Sequence, residues 1–333
     1  MAAADATDLS NLTRLQLRSR MMKCVPATIW EGKALKSLDL SYCSQVQTLP
    51  EASSDVPLEV LTMNHCRAFA ALPSSLHCLR LLKICCLRGT ALARLPERVW
   101  TAWPKLQELD LSHCTELVTL PAVPCDVPLR VLRLSHCSAF TALPDPRHWP
   151  FLQTCSLRGT DIQCLPKNLW TALGRLETLD LYECTDLRAL PEVEEGLPKV
   201  KEGKGFQSAL RALNVGSCWA LEMLPATLGC LSRLQELDVT DCWMLKALPE
   251  STSMLRDLRY LRVWTLPSQR SLPAAASLKA LFRVQVEIFD LRDEATLYYK
   301  HLNLRNRIMR QQWSARFSMT AATFRSTVLR ATF

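Results

Sequence analysis

The feature that most constrains the fold of this chain is a frame of leucines that returns at intervals of 23 or 24 residues. One unit reads L-x-x-L-x-L-x-x-C-x-x-x-x-x-L-P, as in the segment 35–50. The frame is present eleven times, with one longer step of 34 residues, and its first leucines are Leu12, Leu35, Leu58, Leu82, Leu106, Leu129, Leu152, Leu176, Leu210, Leu234 and Leu258. Because so short a unit cannot cover its own leucines, we expect the units to stack and to share one core.

The residue order inside a unit predicts its local structure. The L-x-L core alternates apolar and polar residues, which is the period of a strand, whereas proline in Leu-Pro cannot sit inside a paired strand. Each unit is therefore predicted to be a strand, a turn and a return segment. Apolar spacing in 96–106 favours a short helix, whereas two prolines in 121–129 favour irregular structure.

The combination of this leucine frame with a cysteine and a Leu-Pro pair resembles the leucine-rich repeats of intracellular plant immune receptors and their relatives. The resemblance covers about residues 9–289. It implies an α/β leucine-rich-repeat solenoid, with a curved parallel sheet on the concave side and short helices, 3₁₀ turns and loops on the convex side. It also implies an immune-sensor-like role. The expected domains are a solenoid of about eleven to twelve units over 1–289 and a C-terminal cap with a basic tail over 290–333.

A longer period lies above the first one. Trp30, Trp100 and Trp170 are each 70 residues apart, and the segments 87–90 and 157–160 are both Leu-Arg-Gly-Thr. Three units thus form one block, which indicates duplication of the block. The long step contains acidic residues followed by lysines and glycines, so we predict a loop insertion near 192–209 that projects from the solenoid.

The cysteines follow the repeat. Seven of them share one position, three residues after the second strand leucine, and Thr90 and Thr160 occupy that position in the third unit of each block. The position favours a small weak donor to a neighbouring turn carbonyl, which a thiol and a hydroxyl both provide. We therefore expect reduced structural thiols, without disulfides. Neither C-x-x-C nor H-E-x-x-H is present, so we expect no metal and no other cofactor.

Side chains that flank the strand leucines are expected on the concave side. The central row mixes both signs of charge, which excludes a consistently basic nucleic-acid groove. Histidines 113 and 136 in adjacent units could imitate a ligand pair, but the repeat supplies no third ligand. Aromatic and arginine side chains favour protein binding, and the candidate contact residues are Tyr42, His65, Arg88, Asp110, His113, Arg133, His136, Arg158, Asp180, Tyr182, Asp238 and Trp264.

The C-terminal segment differs in charge from the rest of the chain. The formal net charge is +8, and residues 295–333 hold seven bases and no acid. Three interpretations compete: an element that caps the last unit, with 282–299 as the first choice; a cationic anchor for an anionic membrane or RNA; or a poorly ordered end. The residues assigned to anion contacts are Arg305, Arg307, Arg310 and Arg316.

These patterns predict a non-catalytic recognition or scaffold module that binds another protein in its concave face and is a monomer on its own. The single Gly-Lys step lacks the upstream glycine of a phosphate loop, and aspartates three strands apart lie too far from each other for paired acid and base catalysis. The alternative is a structural subunit of a larger assembly whose basic tail docks to RNA, an anionic membrane or an acidic protein. With no signal peptide and no apolar membrane-spanning stretch visible, we expect a cytoplasmic protein.

Overall fold

A parallel sheet runs through all the repeat units. The structure is a computed structural model. It describes residues 11–193, 208–265 and 285–290, and at 264–265 and 285–290 it describes the backbone alone. Each of the eleven leucine frames contributes one strand, and these eleven strands pair in parallel and in chain order. The predicted solenoid is thereby confirmed. The strands are β1 (Arg14–Gln16), β2 (Ser37–Asp39), β3 (Val60–Thr62), β4 (Ile84–Cys86), β5 (Glu108–Asp110), β6 (Val131–Arg133), β7 (Thr154–Ser156), β8 (Thr178–Asp180), β9 (Ala212–Asn214), β10 (Glu236–Val239), β11 (Tyr260–Thr265) and β12 (Gln285–Asp290).

Short helices connect the strands, as the sequence predicts. Two of them are α-helical, α1 (Val99–Ala102) and α2 (Leu169–Ala172), and both begin three residues after a Leu-Pro pair. The other described helices are 3₁₀ turns at Ala27–Glu31, Leu76–Cys78, Pro146–His148, Leu228–Cys230 and Glu250–Met254. The segment 121–129 contains neither helix nor strand, because its prolines lock φ and remove backbone donors.

The core is a ladder of strand side chains. Central strand residues pair in one register from Leu38 to Leu261, with Cys85 and Cys155 in the leucine position of β4 and β7. All are buried to 0–1% exposure, together with the second L-x-L leucines from Leu40 to Leu181. The strand leucines expected in the core are all buried: Leu38, Leu40, Leu61, Leu109, Leu111, Leu132, Leu179, Leu181, Leu213 and Leu237.

The described repeats fall in one compact unit of the chain, and the described residues of a second unit are Thr265 and 288–290. Most of the predicted loop insertion, 194–207, lies outside the described residues. Glu192 and Val193 at its start are described, and Val193 is buried. The predicted boundary at 289/290 stays a prediction, since 291–333 lie outside the described part of the chain.

Tryptophan side chains explain the 70-residue period. The indole Nε1–H of Trp30, Trp100 and Trp170 donates to the carbonyl oxygen of the Leu-Pro proline in the next unit, at 2.8, 3.0 and 2.7 Å. A proline carbonyl outside a strand has no ladder partner, so the indole satisfies it. One residue per three-unit block therefore fastens the return segment of one unit to the next.

A glutamate that follows the proline fastens two other pairs of units. The Glu51 carboxylate accepts hydrogen bonds from the backbone N–H of Ser74 and of Ser75, at 2.8 and 2.7 Å. Glu192 accepts in the same way from Ala226 and Thr227. Hydrogen bonds from Ser75 and then from Ser74 lower the pKa of Glu51 from 4.5 to about 2, because they favour the charged carboxylate.

We predict that Leu111→Ala lowers the free energy of unfolding by about 2–5 kcal/mol, because it leaves a cavity in the leucine ladder. Leu111 is fully buried. Val118→Ala in the same unit is the control, and it should cost about 0.5 kcal/mol or less because Val118 is half exposed. Urea unfolding of both variants measures the two costs, and equal small costs would contradict a continuous core.

We predict that Glu51→Gln destabilises the protein at neutral pH and loses this effect in acid. The folded pKa of Glu51 lies below its unfolded value, so its stabilisation is present above about pH 4.5 and is lost as the pH falls towards about 2. Unfolding of wild type and variant at about pH 6 and about pH 3 tests this. A difference in unfolding free energy that is equal at both pH values would show that the carboxylate is not stabilised in its charged form.

Candidate protein-interaction face

The turn that follows each strand positions the candidate side chains. The residue immediately before the cysteine position has a positive φ of 57–67° in nine successive units, and two of the nine are glycines. These residues are Tyr42, His65, Gly89, His113, His136, Gly159, Glu183, Ser217 and Asp241. A positive φ is costly for most side chains, so the turn must be held by other contacts.

Backbone hydrogen bonds between units supply the first of these contacts. The N–H of the positive-φ residue donates to a carbonyl two residues before the cysteine position of the next unit, as in Tyr42 to Asn64 at 2.8 Å and Glu183 to Gly216 at 2.9 Å. The strand ladder thus continues past the end of the strand. It fixes the Cα positions of the candidate residues in one line along the stack.

The cysteines supply the second contact, as predicted. All seven thiols at the shared position donate to the carbonyl of the second strand apolar residue in the preceding unit, at 3.0–3.3 Å. Thr90 and Thr160 differ, because their hydroxyls donate to the carbonyls of Leu87 and Leu157 in their own unit. The thiol-to-carbonyl ladder is therefore interrupted twice in the described repeats, at Thr90 and at Thr160.

The aspartates of the central row hold the start of the same turn. The Oδ1 atoms of Asp110, Asp180 and Asp238 each accept the backbone N–H two residues later, at 2.9–3.1 Å. This is the Asx-turn arrangement that aspartate and asparagine favour. These three candidates remain on the exposed face of the sheet, but part of each carboxylate is already engaged within the turn.

Planar side chains stack on the face that follows the strands. We call this surface the strand face; it comprises the residue between the two apolar residues of each L-x-L, which is half-buried in β2 to β10, and the two residues before each cysteine position. Tyr42 stacks on His65 with ring centroids 5.1 Å apart, and His113 stacks on His136 at 4.8 Å. The separation matches the distance between neighbouring strands. Histidines 113 and 136 are thus brought together as stacked rings.

The second block has its own cluster around Arg158. The guanidinium lies 4.2 Å from the Tyr182 ring centroid and 4.0 Å from the Glu183 carboxylate. The Tyr182 ring lies over Gly216, where an added Cβ would come within 2.9 Å of it. Arg133 in the central row forms an exposed ion pair with Glu108 at 3.7 Å. A stack with a cation on one side and an aromatic ring on the other is a typical protein-binding surface.

A cavity of about 450 Å³ opens on the strand face at Gly89. The missing side chain of Gly89 interrupts the row of rings between His65 and His113, and Arg88 reaches across to the His113 Nε2 atom at 3.1 Å. Sequence reasoning selected His65, Arg88 and His113 but missed the cavity itself and its other lining residues, which are Arg67, Gly89, Thr90, Ala91, Thr115 and Glu116. The sequence signal for the cavity was Gly89 itself, because the neighbouring units have a histidine at this position.

The side chains of five predicted site residues lie outside the described part of the chain. Trp264 lies in β11, but its side chain is outside the described residues, as are Arg305, Arg307, Arg310 and Arg316. Within the described ranges, no three His, Cys, Asp or Glu side chains are grouped so that they could hold a metal ion. No helix in the described part of the chain has the length and apolar character needed to cross a bilayer.

Comparisons with known proteins agree with this architecture. The leucine-rich repeat domain of the type III effector XopL aligns with a TM-score of 0.55 and 22% identity, over 80% of this chain and 77% of that chain. Toll, in the Drosophila Toll–Spätzle complex, aligns with a TM-score of 0.57 and 17% identity, over 86% and 38% of the two chains. The chain is a leucine-rich-repeat solenoid. No protein-family model matches it.

The sequence relatives are plant disease resistance proteins. A probable disease resistance protein of Arabidopsis thaliana is 32% identical over 54% of this chain and 10% of its own length. The Arabidopsis disease resistance protein RML1A is 29% identical over 52% of this chain and 19% of its own length. The solenoid therefore resembles the repeats of plant immune receptors, although it spans only a tenth to a fifth of the relatives it matches. Together, fold and relatives support a protein-interaction or immune-related role.

We predict that the fifteen thiols divide by burial. All fifteen are described and none forms a disulfide, and Cys24, Cys125 and Cys164 are exposed. Burial raises the pKa of Cys66 to about 11 and that of Cys137 to about 12, so their reactive thiolates are scarce at neutral pH. A native thiol titration should give a fast phase for the exposed three and a much slower phase for the buried ones.

The same titration after denaturation without reductant should recover close to fifteen thiols. Rapid native labelling of Cys137 would contradict its buried hydrogen bond to Leu111. Recovery of several oxidised pairs from freshly prepared protein would contradict both the thiol ladder and the reduced compartment that it suits.

Proposed function

We propose that this solenoid is a non-catalytic recognition module that binds a partner protein on its strand face. The observation that carries the proposal is the row of stacked rings and guanidinium groups, from Tyr42 to Tyr182, held in line by turns whose backbone is fixed from unit to unit. Rigid aromatic and arginine side chains lose little conformational entropy on binding, which is why they dominate protein interfaces.

Different positions of each unit have different roles, and this supports the assignment. Leucine, cysteine and tryptophan positions are used for packing and for contacts between units. The positions of the strand face vary between tyrosine, histidine, glutamate, serine and aspartate while the backbone keeps one conformation. A surface whose chemistry can vary on a constant scaffold is suited to recognition. The immune-related names of the sequence relatives support a sensor-like role for this recognition.

A non-catalytic role and a reducing compartment complete the proposal. Leucine-rich-repeat solenoids and disease resistance relatives are typically non-enzymatic. The raised pKa values of the buried thiols and their use as structural donors support a cytoplasmic, reducing environment. The strand face carries both signs of charge, so the partner is proposed to be a protein rather than a nucleic acid.

The basic tail supports a second function, as a docking element for RNA, an anionic membrane or an acidic protein. Only the charge pattern of 295–333 carries it, with seven bases and no acid. Binding through such a segment would weaken steeply with salt, because charges farther apart than about 8 Å are screened at physiological ionic strength. Salt-resistant capture of the partner by a chain that lacks 302–333 would favour the strand face over the tail.

We predict that Arg133→Glu and Tyr182→Ala each weaken partner binding by about 1 kcal/mol or more, roughly fivefold in Kd. Both side chains lie on the strand face, so little folding stability should be lost. Lys167→Glu is the matched charge reversal on an exposed return segment and should leave binding unchanged. Quantitative capture from the native source, with melting temperatures measured in parallel, tests the assignment. Weaker capture by the Lys167 variant alone would place recognition on the return segments.

A further inference from the structure

The two three-unit blocks offer an internal comparison around their Leu-Arg-Gly-Thr segments. In both blocks the glycine has a positive φ, and a histidine of the preceding unit, His65 or His136, packs against it. The backbone is therefore the same at Gly89 and at Gly159. Differences between the two places come from the side chains around them.

Arg158 has a carboxylate partner in the neighbouring unit, whereas the described residues give Arg88 no carboxylate partner. Arg158 stacks on Tyr182 and pairs with the Glu183 carboxylate. The corresponding residues of the first block are Ser112 and His113, so the ring is replaced by a small hydroxyl and the carboxylate by an imidazole. The Arg88 guanidinium contacts the His113 Nε2 atom at 3.1 Å. Within the described residues, it makes no ion pair of 4.0 Å or less.

Two of the other corresponding positions also become more negative in the second block, and a third is acidic in both. Arg67 and Ala91 of the first block stand where the second block has Ser138 and Asp161, and Glu116 stands where it has Asp186. With neutral imidazoles, the first block carries one net positive charge at these positions, and the second block carries two net negative charges. The same fold thus presents an electropositive surface around Gly89 and an electronegative surface around Gly159.

The space at Gly89 is large enough for a side chain to enter. The cavity of about 450 Å³ is lined by Arg67, Arg88, His65 and His113, with one acid, Glu116. Two guanidinium groups outweigh the single carboxylate around the opening, so the lining favours an anion. A carboxylate matches the planar fork of a guanidinium, with two parallel N–H···O hydrogen bonds.

We propose that the cavity at Gly89 binds a carboxylate side chain of the partner protein, with the Arg88 guanidinium as its main contact and His65 and His113 on either side. The proposal rests on the proposed function, because a partner's acidic residue reaches the cavity only when the strand face is the recognition surface. The acidic residue would take the place at Arg88 that Glu183 holds at Arg158.

Protonation of His113 strengthens this binding. Burial, and then the Arg88 guanidinium and the neighbouring His136 and His65, lower the pKa of His113, while the Asp110 carboxylate acts in the opposite direction. A bound carboxylate favours the charged imidazole, so binding takes up a proton. The affinity of the cavity for a carboxylate therefore increases as the pH falls towards the lowered pKa of His113 in the free protein.

The test uses the full chain with isotope-labelled histidines, whose six imidazole signals report on single residues. The probe is the peptide acetyl-Gly-Glu-Gly-amide, with its Gln counterpart as the control for charge. The Glu peptide should shift the signals of His65 and His113 in a saturable manner and leave those of His77 and His148, in the 3₁₀ turns of the return segments, unchanged. The Gln peptide should bind at least tenfold more weakly. Equal responses to both peptides would overturn the proposal.

Three variants separate the cavity from the rest of the strand face. Arg88→Ala should abolish the response of His65, whereas Arg158→Ala should leave it unchanged. His113→Glu introduces the carboxylate that the second block already has, and should weaken the Glu peptide at least tenfold because the new side chain pairs with Arg88. Glu183 has the same positive φ, 62°, as His113, so this turn accommodates glutamate. Melting temperatures verify that each variant is folded.

Retained peptide binding in Arg88→Ala would overturn the assignment of the main contact. Inorganic phosphate that binds tenfold more tightly than the Glu peptide would also overturn the proposal, because the cavity would then be a phosphate site. The outcome is separable from that of the proposed function. Peptide binding without any effect of strand-face variants on partner capture would contradict the proposed function, and the reverse result would contradict the carboxylate cavity alone.

Discussion

Each repeat unit of this protein can bury its leucines only against the units on either side of it. A three-residue strand has no hydrophobic core of its own, and the central ladder from Leu38 to Leu261 is dry because neighbouring strands cover one another. Such a fold is stabilised almost entirely by nearest-neighbour contacts. The thiol, indole and glutamate hydrogen bonds serve the same requirement, because each of them connects one unit to the next.

These devices act at different places along the unit. The thiol donates to the preceding unit at the end of the strand, the indole of each block holds the Leu-Pro carbonyl, and the glutamate after proline accepts from the next return segment. Each bond has its partner in an adjacent unit, so each is made only when the stack is complete. The thiol bond and the backbone hydrogen bonds between units hold the turn before the cysteine in its positive-φ conformation, and that turn supports the strand face.

Sequence reasoning predicted the parts of the structure that repeat. The leucine frame predicted one strand per unit, and the shared cysteine position predicted a weak donor to a turn carbonyl, because both signals recur at a fixed spacing. It placed Trp30, Trp100 and Trp170 on one period, but their common acceptor is a carbonyl of the next unit, which spacing alone does not reveal. The positive φ of Tyr42 was hidden as well, because glycine marks that position only at Gly89 and Gly159.

The candidate site was predictable in outline only. Ring stacking of His113 on His136 follows from the strand spacing, but the engagement of Arg158 by Tyr182 and Glu183 depends on side-chain geometry. The cavity at Gly89 arises because the first block has Ser112 and His113 beside Arg88, where the second block has a tyrosine ring and a carboxylate. A comparison of the two blocks position by position, rather than of single units, carries that information.

The central claim is that the partner covers the strand face, and histidine labelling tests it most directly. His65, His113 and His136 lie on that face, whereas His77 and His148 belong to the 3₁₀ turns of the return segments. Diethyl pyrocarbonate modification of the free protein and of its complex, read by mass spectrometry, compares the five residues in one sample. We predict protection of His65, His113 and His136 in the complex, with unchanged modification of His77 and His148. Protection of His77 and His148 with unchanged reactivity on the strand face would contradict the account.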